Sequence, residues 1–139
     1  MTKRVATSVL GIAAAITIGG SAALQAHHAF AAEFDARKEV TLKGAVTRVE
    51  WVNPHVWIHV DVKKPDGNIE SWAIEAGTPN VLFRRGVTKR SLNAGTEVVI
   101  DGYQAKDGTH RANGREVKLA DGSKLFLGSS GTGAPYEIK

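Results

Sequence analysis

Between Trp51 and Val62 two chemically distinct sets of residues alternate, and only an extended strand keeps each set on its own side. Val52, Val56, Ile58, Val60 and Val62 fall on one face; Trp51, Asn53, His55, Trp57 and His59 fall on the other. The first face is core material. The second departs from the Lys, Thr, Glu and Ser that usually cover the solvated side of a strand, because indoles and imidazoles stack, hydrogen-bond and ligate metals. The reading is a binding surface made of Trp51, Asn53, His55, Trp57 and His59. The competing structural reading has Trp57 covered by Phe30 and Phe34, with His55 bonding the local Asn-Pro turn.

Around this stretch the chain reads as short strands separated by turns. Val40 to Val52 is an expected strand whose register changes midway, with Gly44 as the expected bend or bulge. Asn53-Pro54 interrupts pairing, since proline has no amide donor, and His55 to Val62 continues as the second strand. Lys64-Pro-Asp-Gly67 is a hairpin turn with glycine in the left-handed position. Asn68 to Glu75 returns, with Trp72 and Ile74 on one side. Thr78-Pro79 then starts a short helix, threonine as cap and proline at the first helical position, with Gly86 as its stop. Val81, Leu82 and Phe83 are its apolar plug. Glu97–Tyr103, Arg115–Leu119 and Lys124–Leu127 complete the strands. The expected fold is mainly β: a small OB-like β-barrel of five to seven strands with one short helix, the alternative being a β-sandwich.

The amino terminus constrains compartment rather than fold. Met1-Thr-Lys-Arg4 is basic, Val5 to Gly20 is apolar, and Ser21 to Ala26 is small-residue-rich, the order of a secretory leader. Cleavage is expected after Ala23 or Ala26. The domain plan is therefore a signal peptide over 1–26, an arm over 27–39, a barrel over 40–127 and a flexible tail over 128–139. Periplasm or secretion is the expected location, with no membrane span after cleavage. Removing Lys3 and Arg4 from the 18 basic side chains leaves 16 against 14 acidic ones, a net of +2. That near-neutrality argues against nucleic acid as a partner. The chain has no cysteine, so disulfides and thiolate metal sites are excluded.

Chemistry then rests on five histidines, at 27, 28, 55, 59 and 110. His55 and His59 lie roughly 13 Å apart along a flat strand, too far to share one ion. A metal site using His55 or His59 must recruit His27, His28, His110 or a carboxylate from elsewhere in the chain. No Gly-x-Ser-x-Gly elbow, His-Glu-x-x-His helix or cysteine nucleophile occurs, which points away from catalysis.

His27-His-Ala-Phe30 with Phe34-Asp35, Gly44-x-Val46, Trp51-x-Asn-Pro-His55, Trp72-x-Ile-Glu75, Leu82-x-Arg-x-Gly86, Gly95-Thr-x-Val98 and Ala105-Lys-Asp-Gly108 together resemble a family of small exported bacterial proteins classed as a domain of unknown function. The resemblance spans nearly the whole chain after the leader. It implies an exported OB-like β-barrel, favours cleavage after Ala26, and brings no activity or assigned site. The functional expectation is a cofactor-free module that binds a small ligand or an envelope protein through the Trp51/His55/Trp57/His59 face. The alternatives are a copper or zinc protein using His27, His28, His55 and His59, and a structural envelope component.

Overall fold

Strands form where β-branched residues alternate or run together. They are β1 (Phe34–Glu50), β2 (Trp57–Lys63), β3 (Ile69–Glu75), β4 (Glu97–Ala105), β5 (Arg111–Leu119) and β6 (Lys124–Phe126). The computed structural model describes residues 29–128 and 133–137. A six-residue helix, α1 (Pro79–Arg84), lies between β3 and β4; residues 29–33 are helical, and Pro135–Glu137 forms a 3-10 turn. The expected leader, together with His27 and His28, lies outside the described residues. Among those described, no helix is long and apolar enough to cross a membrane.

The sheet order is β3-β2-β1-β4-β5-β6, and β3 also pairs parallel with β5, so β1 to β5 form a closed hydrogen-bonded ring. The mainly β class read from the sequence is thus what the chain adopts, and the ring is consistent with a small barrel and with the sandwich alternative. The 17-residue β1 serves two partners: Phe34–Ala45 pairs with β4, and Ala45–Glu50 pairs with β2. Gly44 is not the bulge expected from its sequence; the register shift against β2 falls between Val46 and Arg48. Glycine is required at 44 for another reason. A Cβ there would lie 2.2 Å from the Asp61 carbonyl oxygen, so the backbones approach too closely for any side chain.

Val56, Ile58 and Val60 are at most 1% exposed, and they meet Trp72, Ile74, Val98 and Ile100 in one core, as the alternation requires. Val52 does not join them. It is 49% exposed, because β1 has already ended at Glu50 and residues 51–56 carry no strand period. The plug formed by α1 is also narrower than its sequence suggests. Leu82 is fully buried but Phe83 is 67% exposed, since successive helical residues are turned about 100° from each other and three in a row cannot share a face. The cap is as read: Thr78 Oγ1 accepts from Val81 N, with Pro79 at the first position.

β5 begins four residues earlier than Arg115, and those residues close the ring. Ala73, Ile74 and Glu75 of β3 pair with Arg111, Ala112 and Asn113. Small residues permit this: a Cβ on Gly102 would lie 2.2 Å from the Asn113 carbonyl oxygen, and one on Gly114 would lie 2.9 Å from Ile74 Cγ2. A second cluster sits beside the main core, where Phe30 and Phe34 pack with Tyr103, Ala105 and Ala134. Two residues from the stretch read as tail, Ala134 and Tyr136, pack there as well. Ala134 is fully buried, and the Tyr136 hydroxyl donates to Asn113 Oδ1 at 3.0 Å.

Candidate functional site

The turn at Lys64–Gly67 sets the register of the β2–β3 hairpin, in which Gly67 takes φ 88° and Lys63 stands opposite Ile69. Counting outward from that pair brings Trp57 opposite Glu75 at the far end. His55 lies just before β2, where Val56 is held by reciprocal backbone bonds: its N–H donates to Gly77 O and its carbonyl accepts from Ala76 N. The closing strand adds Arg111. The start of β2, the end of β3 and the start of β5 therefore deliver an imidazole, an indole, a carboxyl and a guanidinium to one end of the ring.

Their side-chain contacts form two sets on paired strands, one at Glu75 and one at Arg111. His55 Nδ1 lies 3.2 Å from Glu75 Oε1, with the two side chains 27% and 12% exposed. The Arg111 guanidinium sits over the Trp57 ring at 5.4 Å from its centroid and reaches Glu33 Oε2 at 2.9 Å. Glu33 ends the helical turn at 29–33, so the amino-terminal arm is tied directly to this end of the ring. The arm's apolar side is anchored separately: Phe30 meets Tyr103 edge-on at 5.5 Å and Phe34 at 5.8 Å. Trp57 is thus covered in part by Arg111, and Phe30 and Phe34 pack elsewhere.

Burial dominates the electrostatics. It pushes the Glu75 carboxyl up from its ordinary 4.5 to about 7, reinforced by the negative Glu33 and opposed by Arg111. Burial also lowers His55, against the opposing pull of Glu33. Both groups are therefore biased towards their neutral forms near pH 7, where Glu75 can donate a proton or accept one.

The remaining residues of the sequence reading disperse. His59 is paired with Glu50, its Nε2 3.1 Å from Oε1 but not aligned as a hydrogen bond; burial first and Arg48 second lower its pKa against the pull of Glu50. Trp51 packs on the main core and borders a separate shallow cleft with Phe83, Thr88, Lys89 and Arg90. Asn53 is exposed, and the peptide bond that follows it is cis. His110 stacks on Trp72 at 4.9 Å, well along β3 from Glu75. Of the five residues expected on the binding face, His55 and Trp57 come together, joined by Glu75, Arg111 and Glu33. Among the described residues, no three His, Cys, Asp or Glu groups converge as a metal site.

A larger concavity of about 670 Å³ opens at the opposite ends of β2 and β5. Its lining carries Lys43, Lys63, Lys64 and Lys118 over aliphatic groups, with no imidazole or indole. The end that carries His55 has the greater chemical range.

Two of the missed residues had a signal in the sequence. Hairpin counting from Lys64–Gly67 places Glu75 across from Trp57, although taken alone it reads as one more strand-end carboxylate. Glu33 is the acidic residue between the two arm phenylalanines. Arg111 had none, because the closure that delivers it runs through Ala112, Asn113 and Gly114, which look like loop.

No curated protein and no solved structure matches the chain. A family model matches residues 15–114, a span that contains Glu33, His55, Trp57, Glu75 and Arg111. On that match the chain belongs to the family of unknown function DUF6152.

Proposed function

We propose that this protein is an exported binding module, acting in the periplasm or outside the cell, whose recognition surface is the end of the ring carrying His55, Trp57, Glu75 and Arg111. The observation that carries this reading is the Glu75–His55 contact. A carboxyl held at 12% exposure against an imidazole costs folding free energy that an aliphatic pair would not, and ionisable groups buried in this way are characteristic of sites that meet a ligand. Trp57 adds a flat apolar surface, and the Arg111 guanidinium adds planar donors that move only by leaving the indole face. The leader read over residues 1–26 supports export. The lack of any nucleophile motif favours binding over catalysis.

Chemical-shift mapping tests this reading. Small polar aromatic fragments added to isotopically labelled, metal-free protein should perturb His55, Trp57, Glu75 and Arg111 together, and Trp57→Ala should abolish the effect. Perturbations confined to the lysine-lined concavity or to the Trp51 cleft would overturn the assignment.

A further inference from the structure

The concavity at the lysine-bearing end of the ring follows from strand register. Lys43 of β1 stands opposite Val99 of β4, and Val99 stands opposite Lys118 of β5. Directly opposed residues share a face, so the two lysines flank one valine, their Cα atoms roughly 10 Å apart across three strands. The β1–β2 ladder ends at Ala45 and Asp61, and one two-residue step further along each strand brings Lys63 to the position facing Lys43. Register thereby gathers three lysines along one row of one face.

Like charges at opposed strand positions repel unless a counter-charge stands between them. Here the neighbouring charges are engaged with other partners. Asp61 accepts the Ser71 hydroxyl at 2.6 Å, and Lys64, the fourth lysine of the lining, is paired with Glu70 at 2.9 Å. Among the described residues, Lys43, Lys63 and Lys118 make no ion pair, although Lys124, opposite Lys118, is neutralised by Glu116 at 3.0 Å. The lining as a whole carries four lysines against two carboxylates, Asp61 and Glu97.

Beneath this charge the lining is aliphatic. The four lysines are exposed, whereas Ala45, Val99 and Leu119 are half-buried and Val98 is buried. A cationic rim thus stands over an apolar floor, and a volume of about 670 Å³ falls within the range of small-molecule sites. The rim alone would serve a bare anion and the floor alone a neutral hydrocarbon; together they complement a molecule that has both parts. We propose that this concavity binds a small amphiphile with an aliphatic tail and an anionic head, as a second site separate from the end that carries His55. The tail lies on Ala45, Val98, Val99 and Leu119, and the head accepts from the ammonium groups of Lys43, Lys63 and Lys118.

Decyl phosphate, kept below its micelle concentration, would be titrated into the full chain expressed for export with its own leader. Calorimetry gives the affinity, chemical-shift mapping gives the place, and melting curves show that each variant folds. One equivalent should bind, with shifts centred on Val99, Lys118 and Leu119. Decanol and inorganic phosphate should each bind at least about 10-fold more weakly, because one lacks the charge and the other the tail. The double variant Lys43→Gln/Lys118→Gln should lose about 10-fold or more for decyl phosphate and nothing for decanol, and added salt should weaken decyl phosphate in the same sense. Equal affinity for decanol would reduce the site to an apolar surface, and equal affinity for inorganic phosphate would reduce it to a cationic patch. Undiminished affinity in the double variant would leave the lysines as guards of an open strand edge. Binding to anionic vesicles without binding to the monomer would make this face a membrane contact. Any of these results overturns the proposal. His55→Ala should bind decyl phosphate as the wild type does, so failure of this site and failure of the surface at the other end are separate results.

Discussion

At the scale of the residue, the site is governed by what burial does to Glu75. Its carboxyl titrates near 7 in the folded chain and near 4.5 when exposed, so its contribution to stability is intact below about pH 4.5 and is lost as pH rises towards 7. The full shift corresponds to at most about 3 kcal/mol, reduced by proton sharing with His55. The lowered His55 pulls the other way, since its neutral form is favoured above the ordinary imidazole value and stability falls as it is forced to protonate below it. Replacing Glu75 with Gln isolates the carboxyl. Denaturant unfolding should find Glu75→Gln more stable than the wild type by about 1–3 kcal/mol at pH 8, with the gap closing near pH 4; a pH-independent difference would show that Glu75 is not buried as described.

At the scale of the element, register decides everything. Ile58 faces the core with no exposure, whereas Ile69, at the other end of the same hairpin, is 64% exposed. Ile58→Ala should therefore cost about 2–4 kcal/mol, and Ile69→Ala should stay within about 0.5 kcal/mol, as read from chemical denaturation. Gly44→Ala should also be costly, because the new methyl meets the Asp61 carbonyl and β1 must separate from β2; unchanged stability there would contradict the pairing. The β2–β3 hairpin was legible from sequence because alternation and the Lys64–Gly67 turn fix its register independently and agree. The helix start was legible from Thr78-Pro79. The β3–β5 closure was not, since it depends on Ala112, Asn113, Gly114 and Gly102, residues whose value lies in the room they leave. One residue of the site inherits that opacity. His55 and Trp57 announce themselves as ring residues on a strand face, Glu75 is recoverable by counting along a hairpin, and Arg111 arrives through a long-range parallel pairing that no local pattern encodes.

At the scale of the whole molecule, two apolar clusters divide the work. The ring core holds the strands, while Phe30, Phe34 and Tyr103 hold the arm that carries Glu33 to Arg111. Phe34 is 2% exposed, so Phe34→Ala should cost about 3–5 kcal/mol and, where the ring still folds, should free the arm and with it the Glu33–Arg111 pair. Hydrogen exchange at residues 29–34 should then rise well above that of β2. The central claim is that the ring residues at this end form an open recognition surface rather than a second core, and Trp57 reports on it directly. In a Trp51→Phe/Trp72→Phe variant only Trp57 emits. Acrylamide should quench that emission in the folded protein, and adding Arg111→Ala should increase the quenching by uncovering the indole face. Emission that stays inaccessible to acrylamide with Arg111 in place and after its removal would contradict the account.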